Sequence, residues 1–343
     1  MSKRVDFIDV AKGISILLIV LYHSSLKQYF PEFSEKMGLF RVPLFFFVTG
    51  VFFKYNLPPT KYLVKVSDIL LKPYFITLLI FMFYTVIMGE YQSWHIRGIL
   101  YGTGDLIPKP WNAMWYLTHL WAVYLSSYTL VRVTKIYGRP IYLKLLLVGF
   151  LILIGLLSIQ FFWYLPVTIF GKEIILHGLP FSLDLIPLSL VFFLSGSFAK
   201  KRIIEFKPVH FWFVISIVIF YLIATNTGSR ILFNLRIYIE PFFATIAAVA
   251  GIYSVLSISY YLSYSPRLSG MLKSIGVSSL FILIFHVLFI ELFEAYFISQ
   301  FFEGYNPYYY AIAFVLSVAF PMLLRVVFVK TKLLKMLYFP SFR

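Results

Sequence analysis

Apolar residues run through this chain in long blocks, not in the alternating or 3.6-residue stripes of a half-buried soluble element. Short segments rich in Gly, Pro or charge separate the blocks. The pattern predicts helices near residues 9–29, 38–54, 66–88, 112–131, 142–164, 180–199, 210–225, 237–260, 277–299 and 307–329. A helix that crosses a bilayer needs about 20 predominantly apolar residues, and most blocks reach that length. The fold class read from this is all-α: a polytopic integral membrane helical bundle with about ten transmembrane helices. Little chain is left for a soluble module, so residues 1–343 read as a single transmembrane domain.

Composition sharpens the picture. The chain is 61% hydrophobic and 13% charged, where a soluble domain is nearer half apolar and a quarter charged. The 39 Phe, 26 Tyr and 6 Trp suit lipid-facing and interfacial positions. There is no cysteine, which excludes disulfides, thiolate catalysis and cysteine-ligated metals; no metal site is expected. The first block follows Lys3 and Arg4 as a signal peptide would. It runs a full span, however, and ends in Tyr-His-Ser-Ser without a small-x-small cleavage site, so it reads as a retained helix.

The formal net charge is +16. Its placement argues against nucleic acid as a partner. With the N-terminus in the cytoplasm, 22 of the 30 Lys and Arg fall on the inner side and eight on the outer side, as the positive-inside rule requires. Both termini are then cytoplasmic, and the basic residues meet membrane lipid headgroups. The expected location is the cell (plasma or inner) membrane, with multiple passes.

No low-complexity tract or internal repeat stands out. The longest outer loop, residues 89–113, is rich in Gly, Pro and aromatics and is a candidate to lie on the membrane surface or to fold back over a cavity. The tail "KTKLLKMLYFPSFR" reads as a basic amphipathic segment on the inner leaflet.

Ionisable residues within the blocks carry the chemistry, because charge inside a membrane is expensive. In "FIDVAKGISILLIVLYHSS", Lys12 and His23 are 11 residues apart. They share a helix face about 16 Å apart along the axis. His23 is a candidate general base, with a packing hydrogen bond as the plain alternative. Lys12 is a candidate phosphate or carboxylate anchor, with snorkelling to the interface as its alternative. Asp9, one turn earlier, either pairs with Lys12 or favours the helix start. At 14 residues from His23 it lies too far away to orient it. A partner for His23 must come from another helix; Glu240, Arg41 and His119 are the candidates at similar depth. His286 falls near the middle of the ninth block, as a site residue or as packing glue.

At these residues the chain resembles the acyltransferase-3 membrane proteins. Ile8, Asp9, Lys12 and His23 match the family's first-helix pattern of a basic residue, ten residues and a histidine. "RVPLFFFVTGVFF", "MWYLTHLWAVY" and "SSLFILIFHV" resemble three further segments, in the same order. The wording is nearest the subgroup acting on fucose-type sugars and surface polysaccharides. Lys12 stands where arginine is more usual, and "KVSDILLKPY" offers Lys65 and Lys72 in place of paired arginines.

The resemblance implies O-acyl transfer, usually acetyl, from acetyl-coenzyme A to a carbohydrate hydroxyl of a surface polysaccharide or a lipid-linked sugar. It implies that Lys12 and Asp9, with Lys65 or Lys72, hold the donor. His23 would act as base or form an acyl-His, with Glu240 or His119 in support. Arg41, Trp115 and His286 are candidates to line the acceptor site. The competing readings are a transporter or exporter of a glycan or lipid-linked sugar, and a structural membrane subunit. Oligomeric state is not legible.

Overall fold

The computed structural model describes residues 6–169, 172–301 and 307–341. Lys3, Arg4 and Arg343 of the charge partition, and the side chain of Lys172, lie outside the described residues. In chain order the helices are α1 (Asp6–His23), α2 (Pro31–Lys36), α3 (Gly38–Val51), α4 (Pro59–Ile87), α5 (Ser93–Tyr101), α6 (Trp115–Thr134) and α7 (Ile141–Phe162). A hairpin follows, β1 (Trp163–Ile169) with β2 (Lys172–His177). Then come α8 (Ile186–Phe198), α9 (Lys200–Ile204) and α10 (His210–Asn226), and a second hairpin, β3 (Arg230–Leu232) with β4 (Ile237–Ile239). The chain ends with α11 (Pro241–Leu262), α12 (Pro266–Val277), α13 (Ser279–Phe301), α14 (Pro307–Lys330) and α15 (Lys332–Tyr338).

Each of the ten predicted blocks coincides with one principal helix: α1, α3, α4, α6, α7, α8, α10, α11, α13 and α14. Among the described residues, six helical segments are long and apolar enough to cross a membrane: Pro59–Ile87, Ile141–Phe162, Pro180–Phe198, Pro241–Leu262, Ser279–Tyr296 and Pro307–Lys330. The others fall short for visible reasons. Asp6, Asp9 and Lys12 charge the first two turns of α1, α3 has 14 residues, α10 has 17, and α6 is diluted by His119, Arg132 and several Ser, Thr and Tyr. The chain is thus a predominantly helical membrane protein that also carries two small hairpins.

Backbone contacts group the chain into two compact units, each assembled from separated stretches: residues 1–52 with 196–325, and residues 53–195 with 326–343. In the first, α1 packs on α12 through glycine. A Cβ on Gly13 would stand 2.3 Å from the Leu272 carbonyl oxygen, and one on Gly276 would stand 2.0 Å from that of Asp9. Small residues let helix backbones approach where lipid offers no hydrophobic drive. The same device seats α11 on α3, where Gly251 faces the Phe40 ring. Ser15 Oγ donates to the Arg41 carbonyl at 3.0 Å and ties α1 to α3.

In the second unit the loop at 89–113 contains α5, and the Tyr74 hydroxyl of α4 donates to the Ile99 carbonyl at 2.8 Å. Gly155 of α7 accommodates Leu188 of α8. The tail folds back on α4 instead of lying free. Tyr338 is buried, with its hydroxyl 3.1 Å from Thr77 Oγ1. The Ser341 N–H donates to Asp68.

Candidate functional site

The strongest cluster of intramembrane polar groups lies in the first unit, at the C-terminal end of α1. Here α1 runs into a short 3-10 turn, Ser25–Tyr29, and α13 passes alongside. The rings of His23 and His286 have their centroids 5.0 Å apart, with planes at 70°. His286 is wholly buried. Its Nδ1 lies 2.8 Å from the Ile282 carbonyl and 3.0 Å from that of Leu283. Carbonyls only accept, so Nδ1 carries the proton and Nε2 carries the lone pair. That Nε2 is buried and, among the described residues, has no hydrogen-bond partner. Such a group either destabilises the fold or awaits a donor.

Two turns along α13, Glu294 accepts the Ser25 N–H at 2.8 Å and the Ser25 hydroxyl at 2.6 Å. It fastens the start of the 3-10 turn just after His23. Beside it, Tyr22 is flanked by two cations. The Arg41 guanidinium carbon is 3.7 Å from its ring centroid, and the Lys27 ammonium is 4.7 Å away. Lys27 also donates to the Tyr22 carbonyl at 2.8 Å. Arg41 is 3% exposed and donates from Nη1 to the Ser34 carbonyl at 3.1 Å. Arg41 and Lys27 both lie close enough for their charges to act on His23.

At the opposite end of α1, the Lys12 ammonium is 3.7 Å from Asp9 and 4.7 Å from the Phe52 ring centroid. Lys12 and Asp9 therefore pair as one turn of helix allows, and Lys12 remains partly exposed.

The remaining predicted residues stand elsewhere. Glu240 is exposed. It occupies the residue before Pro241 with a left-handed backbone, φ 50°; its carbonyl accepts the Ala244 N–H at 2.8 Å, and its side chain makes no cap hydrogen bond to the start of α11. The structure gives it no contact with His23; the ring beside His23 is that of His286. His119 belongs to the second unit. Its Nε2 is 2.7 Å from Ser189 Oγ, and the Trp115 ring is 5.6 Å away. Lys65 is exposed on α4. Lys72 pairs with Asp68 and donates to the Phe339 carbonyl at 2.6 Å, so its charge holds the tail.

Sequence reasoning missed Tyr22 and Glu294 as parts of this cluster. The available signal for Glu294 was an acid two turns beyond a mid-block histidine. For Tyr22 there was none, because aromatics are everywhere in this chain.

The apolar spans, with the half-buried His23 beside the buried His286, belong to a multi-pass membrane protein. The chain belongs to the acyltransferase-3 family: the family model, described as an acyltransferase domain, matches residues 5–326. It is therefore a membrane acyltransferase. Neither a curated protein nor a solved structure matches it.

Proposed function

We propose that the protein moves an acetyl, or another acyl, group from acyl-coenzyme A to a carbohydrate hydroxyl of a cell-surface glycan or its lipid-linked precursor. It would work in the cell membrane with both termini cytoplasmic, as the inward bias of Lys and Arg supports. The observation that carries the reading is the His23–His286 pair, 5.0 Å apart, at one end of α1, with the charged pair Lys12–Asp9 at the other.

The distances suit the parts. Coenzyme A is a polyanion with a long flexible arm, and Lys12 provides a cation at the cytoplasmic end of α1. The imidazoles stand about 16 Å further along, within reach of the arm's thioester. There His23 takes the proton of the sugar hydroxyl as its oxygen attacks the thioester carbonyl. The new C–O bond forms, the C–S bond breaks, and the departing thiolate takes the proton from His23. His286 acts as a positioning residue: its Nδ1–H is fixed by backbone carbonyls, and its Nε2, which has no partner among the described residues, would accept the ring N–H of His23 when that ring turns toward it and so set its tautomer. Lys72 has no donor role in this scheme, because Asp68 and the tail engage it. A fucose-type sugar as acceptor rests on the likeness of the first two helices alone.

The test is label transfer from acetyl-coenzyme A, carried on the acetyl group, to glycan acceptors by purified protein in nanodiscs. Transfer is expected from the native chain and not from His23→Ala, with the variant's elution and melting unchanged. Absence of thioester loss with any acyl-coenzyme A, together with movement of a glycan across vesicles, would replace this reading with transport.

A further inference from the structure

A cavity of about 350 Å³ opens at the C-terminal end of α1, and Tyr22, Lys27, Ser34, Glu35, Arg41 and Arg230 are among its lining residues. Three cations line it against one carboxylate. That carboxylate, Glu35, is engaged by Arg230, and both side chains are about half exposed. Nearby Glu294 is taken by Ser25. Arg41 differs from its neighbours: it is 3% exposed, and among the described residues no carboxylate pairs with it. Its compensation is one backbone carbonyl and the face of Tyr22. A buried guanidinium with five donors and a single carbonyl acceptor is under-satisfied, and its planar fork matches a carboxylate or phosphate in two-point contact.

We infer that this cavity recognises an acidic group, carboxylate or phosphate, carried by the carbohydrate acceptor. The inference rests on the acyl-transfer reading for its direction. The cavity is lined by Tyr22, the residue that adjoins His23, and lies at the end of α1 remote from Lys12, so it belongs to the acceptor side and not to the donor. An acid held by Arg41, with Lys27 and Arg230 at the mouth, would fix the sugar's position so that one hydroxyl meets His23. The preferred acceptor is then a uronic acid or a sugar phosphate, and a neutral sugar binds poorly.

The experiment is equilibrium dialysis of labelled glucuronic acid, glucose 1-phosphate and glucose against the full chain in phosphatidylcholine nanodiscs. The acids are expected to bind about ten- to a hundredfold more tightly than glucose, the range for one or two charged hydrogen bonds. Arg41→Gln should abolish that preference. Arg230→Gln, at a half-exposed position, keeps the test open if Arg41→Gln misfolds, and should weaken acid binding severalfold. Equal binding of acids and glucose, no binding of either acid, or an acid preference that survives both substitutions overturns the inference. So does loss of acid binding in phosphatidylglycerol nanodiscs, which would make the bound anion a lipid headgroup. Binding needs no acyl transfer, so the two readings fail separately. An Arg41-dependent acid preference without thioester loss leaves the cavity and removes the transfer. Acyl transfer to neutral and acidic sugars alike, with no acid preference in binding, does the reverse.

Discussion

The buried ring of His286 stands 5.0 Å from that of His23 at 70°, and its Nδ1–H is held by the carbonyls of its own helix. A lone packing histidine would use its second nitrogen as well or leave it in water. Here, among the described residues, Nε2 does neither, so it is the natural acceptor for a ring N–H that has to be turned one way.

This separates the two histidines in kinetics. His23→Ala should lower kcat by about 10²–10⁴-fold, the usual worth of a general base. His286→Ala should lower kcat less, by roughly 10–100-fold, comparable to loss of an outer partner of a functional histidine. The KM for acyl-coenzyme A should hold in both variants. His286→Gln, which keeps a hydrogen-bonding group, should recover part of the rate, and the pH profile of kcat should move in both His286 variants. An unchanged profile with a lower yield of folded protein would make His286 packing only.

Lys12 should act on the donor alone. Lys12→Ala is expected to raise the KM for acyl-coenzyme A by about tenfold, as loss of one charged contact implies, with acceptor KM unchanged. Lys12→Arg should retain donor binding. Asp9→Asn removes the carboxylate 3.7 Å from Lys12 and should alter donor affinity far less than Lys12→Ala. Steady-state kinetics with each substrate varied in turn checks all three.

The first helix could be read from sequence because two ionisable residues on one face of an apolar block are rare and their spacing is fixed by the helix repeat. The partner of His23 was harder to read. Sequence gives depth along a block but not which blocks touch, so Glu240, Arg41 and His119 were the admissible partners, and His286 was placed by depth alone. In the structure Pro241 starts α11, and Glu240 just before it is exposed. The short elements were hidden by averaging over long windows. The amphipathic α12, which packs on α1 through glycine, reads as a loop between two stronger blocks. Lys72 shows the opposite case. Its i, i+4 relation to Asp68 was visible, but the tail residues that complete its surroundings lie some 270 positions away.

The tail should be docked, not adsorbed to lipid. Tyr338 is 4% exposed, with its ring 4.8 Å from that of Phe328. Tyr338→Ala should destabilise the protein by about 3–5 kcal/mol, as for other buried aromatics, and should open Lys332 and Lys335 to trypsin. Asp68→Asn removes a partly exposed ion pair and should cost about 1 kcal/mol or less. Limited proteolysis in neutral and anionic nanodiscs checks this: protection that depends on anionic lipid would instead place the tail on the membrane.

The seam between α1 and α12 offers the sharpest structural test, because both sides of it are backbone. A methyl on Gly276 would stand 2.0 Å from the Asp9 oxygen, and one on Gly13 would stand 2.3 Å from the Leu272 oxygen. Neither oxygen can turn aside as a flexible side chain would, so the helices must part. Gly13→Ala and Gly276→Ala should each lower stability by about 1–3 kcal/mol, the range for overpacking. Parting the helices also shifts α1, which carries both Lys12 and His23, so activity should fall further than the melting temperature suggests. Gly270→Ala is the control on the same helix. Nothing lies within 4 Å of its added Cβ, and removing a helical glycine should stabilise by roughly 0.5–1 kcal/mol. Thermal melts of the three variants decide the matter: equal effects at positions 270 and 276 would mean that α1 and α12 do not meet at glycine.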